Sequence, residues 1–190
     1  MRTVICSLLL ILSSPVFADD LNYNFFQLSF DRVELDDDFG LDVDGDSWAF
    51  AGSFEVAESW FVFADYGMGD FDFGVDLDQW SVGGGFHTPV ANNVDFVATA
   101  AYVGADISAG GLSVDDNGLG ASIGLRAMVT PNVELNGTIS YVDLGDFGDD
   151  TSLSGSAWWN FTEQFALGVR AGVADDVTQY GIGGRFYFGR

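Results

Sequence analysis

The chain contains no lysine, and its 6 basic residues, all arginine, face 29 Asp and Glu for a formal charge of −23. Phosphate binding needs a basic face, so this balance excludes a nucleic-acid binder. It equally excludes docking on anionic lipid through a polybasic patch. Cysteine occurs once, as Cys6, inside the N-terminal apolar stretch. Downstream of it there is no disulfide and no thiolate. Proline occurs 3 times against 25 glycines, a ratio that favours strands and tight turns over linkers. Beyond the first residues, no run is long and apolar enough for a transmembrane helix. The acidity is not that of a disordered tail, because 48% of residues are hydrophobic and 18 are Phe, which leaves ample surface to bury.

The opening "MRTVICSLLLILSSPVFADD" has one Arg, a short apolar run and a small-residue site ending at Ala18. It reads as a secretory signal peptide, 1–18, cleaved after Ala18, with residues 19–190 as a single domain.

From there alternation dominates. In "SWAFAGSFEV", Trp48, Phe50, Phe54 and Val56 share one face, while Ser47, Ala49, Ser53 and Glu55 share the other. Ten segments behave this way: 22–33, 47–56, 60–70, 78–87, 94–106, 117–129, 133–143, 151–161, 165–174 and 177–188. Their joints alternate in kind. Short turns lie at 57–59, 88–93, 130–132 and 162–164, while 34–46, 71–77, 107–116 and 144–150 read as longer, acidic, Gly-rich loops. Short turns at one end and longer loops at the other are the pattern of an outer-membrane barrel.

A soluble barrel also alternates, so the rims have to discriminate. On the apolar face, Trp48, Tyr66, Trp80, Tyr102, Tyr141 and Tyr180 fall near the long-loop ends. Trp60, Phe86, Phe161, Phe165 and Phe188 fall near the short-turn ends. Such rings prefer a membrane–water interface, and two aromatic girdles are not what a globular core needs. The expected fold is all-β: a closed, antiparallel, up-and-down transmembrane β-barrel of ten strands, with eight strands and longer extracellular loops as the alternative.

With its leader, its alternation, "DQWSVGGGFH", "YVDLGDFGDD" and its final strand, the mature chain resembles the small Gram-negative outer-membrane β-barrel proteins, OmpA/OmpX-like and porin-like. The resemblance implies an assembly signal read by the barrel assembly machinery, which Gly183, Phe186 and Phe188 match. It also implies outer-membrane lipid and lipopolysaccharide as surroundings. The chain departs from the family pattern at Gly181, where a polar residue is expected, and in continuing past Phe188 to Gly189-Arg190.

The polar face carries Glu55, Asp65, Asp95, Arg126, Glu134, Arg170 and Arg185. Charges in a narrow lumen need partners, so these seven form an expected lumen charge network. It would serve either as a filling plug or as a selectivity constriction. The acidic loop 34–46, with Asp42, Asp44 and Asp46 around Gly45, offers a weak site for divalent cations; a solvated charge run is the simpler reading. His87, the lone histidine, has no nearby serine nucleophile, and Gly83–Gly85 precede neither Lys nor helix. No enzymatic activity, cofactor or metal centre is therefore expected. The favoured function is a structural or surface-interaction barrel in the outer membrane, with a narrow pore for small, cationic solutes as the alternative and an outer-membrane enzyme as the remote third.

Overall fold

The computed structural model describes residues 21–36, 42–175 and 177–189. The expected signal peptide lies outside these. Ten strands follow one another: β1 (Phe25–Asp36), β2 (Asp42–Ala57), β3 (Trp60–Phe71), β4 (Val75–Ala91), β5 (Val94–Ala109), β6 (Leu112–Thr130), β7 (Val133–Asp143), β8 (Asp149–Asn160), β9 (Phe165–Ala174) and β10 (Val177–Tyr187). Every neighbouring pair is antiparallel, and β10 returns to β1 to close the barrel. The seam runs from Phe25 opposite Tyr187 to Leu35 opposite Val177. Closure leaves no strand edge unpaired, which a barrel immersed in hydrocarbon requires. The structure therefore has ten strands rather than eight.

Inward and outward residues alternate as the sequence pattern predicts. Phe26, Phe54, Trp60, Leu119, Val169 and Ile182 are among the large apolar side chains exposed on the outer face. Each predicted girdle residue also points outward. Trp60 packs on Phe86, Trp80 on Tyr102, and Phe161 on Phe165, while Phe188 stacks on Phe26.

Of the expected long loops, 144–150 holds a loop with a 3-10 turn at Gly145–Phe147 and 71–77 holds a 3-10 turn at Asp72–Gly74, whereas 107–116 is strand on both sides of a two-residue turn and the described residues of 34–46 are strand. Pairing continues to Asp36 opposite Asp42, Phe71 opposite Val75, Ala109 opposite Leu112, and Asp143 opposite Asp149. The Asp-rich stretches keep the period of two, so their backbones remain in the ladder and the carboxylates alternate along protruding hairpins. Gly110 and Gly111, at φ 60° and 85°, form a two-residue left-handed turn that suits the twist of the flanking strands. Strands as long as the 19 residues of β6 exceed the roughly 9–11 that a tilted strand needs to cross a bilayer, so the acidic hairpins project beyond that span. The register shifts beside Glu55, Pro89 and Met128 cluster at the opposite end, next to the two-residue turns. A bulge is where a proline is tolerated inside a sheet.

The first predicted segment is also corrected. Residues 22–24 precede β1 and fold into the barrel mouth instead of pairing. The packed core lies at this terminal end, where Tyr23, Phe61, Met128, Trp158, Ala166 and Tyr187 are buried.

Candidate functional site: a lumen with a floor

Three groups of side chains shut the terminal end of the lumen. The first forms around Tyr23. Its ring stacks on His87 at 3.8 Å and on Phe61 at 5.1 Å, and its hydroxyl donates to Asp95 Oδ2 at 2.9 Å. His87 Nδ1 meets the same carboxylate oxygen at 3.1 Å. The segment is tied down on both sides: Asn22 Nδ2 donates to the Phe188 carbonyl at 3.2 Å, and Asn24 Oδ1 accepts the Glu55 amide at 2.9 Å.

The second group centres on Glu134, which is 2% exposed. Arg126 Nη2 donates to its Oε2 at 2.8 Å, and Arg185 Nη1 donates to its Oε1 at 2.9 Å. The Tyr187 hydroxyl and Asn136 Nδ2 also donate to it, at 3.1 Å each. This carboxylate is therefore fully solvated by side chains, the condition under which a buried charge is tolerable. Arg126 donates onward to the Asn22 carbonyl at 2.9 Å, and its guanidinium lies 4.6 Å over the Tyr23 ring. Arg185 sits between Phe25 and Trp158, 4.2 and 4.1 Å from the two rings, and bonds Gln27. Planar, weakly hydrated guanidinium suits such stacking, where an ammonium would not.

The third group lies one level higher. Arg170 pairs with Asp31 at 3.1 Å and donates to Ser29 at 3.0 Å. Asp31 lies across Gly181, its neighbour in register, where a Cβ would collide with the carboxylate and the Phe30 carbonyl. This accounts for the departure at Gly181: a side chain there would occupy the space of the Asp31–Arg170 pair. In the same way Phe61 and Phe63 lie over Gly85 and Gly83, which is why β4 is thin at that point.

The expected network of seven is thus not one network. Arg126, Glu134 and Arg185 join directly, and Asp95 connects through Tyr23. Arg170 takes Asp31, which parity places inside but which was not among the seven. Asp65 bonds the Ser81 hydroxyl, and Glu55 has no ion pair among the described residues. Sequence reasoning also passed over Asn22, Tyr23, Gln27 and Trp158. The parity of Ser152, Ser154 and Ser156 puts Trp158 inside, and that of Phe25 and Gln27 does the same for Tyr23.

At the acidic loop, Arg32 holds Asp44 at 2.7 Å and Asp46 at 3.0 Å on the outer surface, so an internal cation already engages two of the carboxylates offered for a divalent ion. Residues 37–41 lie outside the described part. No metal-binding cluster is found among the described residues.

Above the floor is a cavity of 730 Å³. Its lining runs from Tyr23 and Arg185 up to Leu35, Leu77 and Val177, close to the loop end.

A closed antiparallel barrel with an apolar exterior and a polar interior has known counterparts. The chain has the fold of outer-membrane β-barrels. The KdgM porin in complex with disordered oligogalacturonate superposes with a TM-score of 0.51 at 8% identity, over 87% of this chain and 99% of that one. The translocator domain of the autotransporter NalP from Neisseria meningitidis gives 0.51 at 11% identity, over 91% of each chain. The beta domain of the Bordetella autotransporter BrkA gives 0.51 at 13% identity, over 88% of this chain and 100% of that one. At these identities the likeness concerns the fold alone. No protein-family model matches the sequence. No curated protein matches it either.

Proposed function

We propose that this protein is an integral barrel of the bacterial outer membrane, exported by its leader, that works as a closed structural or surface-interaction element and not as a pore. In this reading the terminal end is periplasmic, and the acidic hairpins stand at the cell surface. The apolar outer band and its rings at two levels support membrane residence. Phe186 and Phe188, both directed outward, are left available to the assembly machinery.

The observation that carries the closed state is the floor. Glu134 and Trp158 at 2% exposure, Tyr187 at 3% and Arg126 at 6% fill the lumen as a protein interior is filled. A conducting pore would need these charges hydrated. His87 is committed to Tyr23 and Asp95, and the proposal gives it a packing role with no part in catalysis.

Planar-bilayer recording tests the reading. Refolded wild-type protein is expected to give no discrete conductance steps. Stable, cation-selective steps from pure protein would overturn the closed-barrel reading in favour of a pore.

A further inference from the structure

We propose that the cavity above the floor is a binding site for a small, uncharged, polyhydroxylated solute of mono- to disaccharide size, entering from the loop end. The proposal rests on the closed-floor reading, since a cup needs a bottom. At 730 Å³ the cavity falls in the roughly 300–1,000 Å³ range of small-ligand sites. Its wall over β5 to β8 is hydroxylic, with Thr99, Ser122, Thr138 and Ser154, and Gln79 and Gln179 add amides from other strands. Hydroxyls and amides both donate and accept, which is what the hydroxyls of a sugar require. Ser53 Oγ, in the same lining, is buried and has no hydrogen-bond partner among the described residues. The rings of Phe61 and Phe63 also line the cavity and supply an apolar face for the C–H side of a sugar ring.

Charge sets the class. Arg126 and Arg185 share Glu134, and Arg170 pairs with Asp31 and also acts on Asp65, so the three lining cations face three carboxylates and none is left unpaired for an anionic ligand. Asp65 accepts from the Ser81 hydroxyl and, with no ion pair of its own among the described residues, lies in the field of Arg170, which is itself paired with Asp31. An anion entering the cup meets the Asp65 carboxylate and no unpaired cation, whereas an uncharged polyol meets donors and acceptors.

The test is titration of the refolded, detergent-solubilised protein with maltose, galacturonate and glucosamine, read by calorimetry and by saturation-transfer NMR. Maltose is expected to bind saturably, galacturonate about tenfold more weakly through repulsion by Asp65 across a partly hydrated cavity. Asp65→Asn is expected to bring galacturonate to within about threefold of maltose. Ser154→Phe and Ser122→Phe, two independent fillers of the cavity, are expected to abolish maltose binding while the folded-state gel shift persists. Absence of saturable maltose binding overturns the proposal, as does maltose binding untouched by a folded filler variant. Glucosamine binding more than tenfold tighter than maltose overturns the uncharged class. Because conductance is measured separately, a leaky floor and an empty cup are distinguishable failures.

Discussion

Replacing Glu134 by Gln should open the floor, and the size of the effect follows from its contacts. The carboxylate is the single anion between Arg126 and Arg185, at 2.8 and 2.9 Å. At an effective dielectric of about 20 and a charge separation of about 4 Å, each attraction is worth about 4 kcal/mol. Removing the anion leaves two buried guanidiniums facing each other. Breaking a buried pair in this manner typically costs about 3–5 kcal/mol, and the amide oxygen can still accept from one guanidinium but without the ion–ion attraction. With a urea slope of about 2 kcal/mol per molar, the unfolding midpoint in lipid should fall by about 2 M. Water should follow the exposed guanidiniums into the floor, so the variant is expected to give anion-preferring conductance steps that wild type lacks. Adding Arg126→Met to Glu134→Gln removes one of the stranded cations and should recover part of the loss, a non-additivity readable in a double-mutant cycle. A midpoint shift under about 0.5 M, with no conductance, would refute the view that this triad seals the lumen.

Tyr23→Ala removes the ring packed on both His87 and Phe61 together with the hydroxyl on Asp95; a loss of about 3–5 kcal/mol is expected in the same denaturant assay, accompanied by flickering conductance. Gly181→Ser forces a side chain into the Asp31 carboxylate and should destabilise by about 1–3 kcal/mol, whereas Gly184→Ser, where a Cβ meets nothing, should be nearly neutral. Ile182→Arg puts a charge on the outer face and should cost about 2–4 kcal/mol in lipid, while Thr138→Arg in the lumen should cost far less; equal effects would contradict the assignment of faces. Boiled and unboiled samples should migrate differently on gels, and the protein should fractionate with outer membranes; recovery in the soluble fraction would defeat membrane residence.

The ten strands, their inward and outward faces and the two aromatic levels follow from the period of two, because a pleated strand sends successive side chains to opposite faces wherever it sits. That local rule needs no knowledge of neighbours. It also placed Arg126, Glu134, Arg170 and Arg185 inside. It failed where composition outweighed period: the acidic, Gly-containing run 107–116 suggested a loop, yet it alternates and stays paired up to Gly110-Gly111. Which inward residues meet was a matter for the tertiary structure. A sheared, closed sheet brings Glu134 of β7 to Arg185 of β10, 51 residues away in sequence, and Arg170 of β9 to Asp31 of β1. Tyr23 precedes every strand, so periodicity assigns it no partner; only the width of the mouth, the stacking surface of His87 and the Asp95 acceptor make it a stopper. The sequence by itself determined that this chain makes a barrel with a greasy outside and a polar inside, since alternation is a property of each strand alone. Whether that inside is a channel or a cup was decided by closure, because only the completed ring sets the distances across which opposite charges pair.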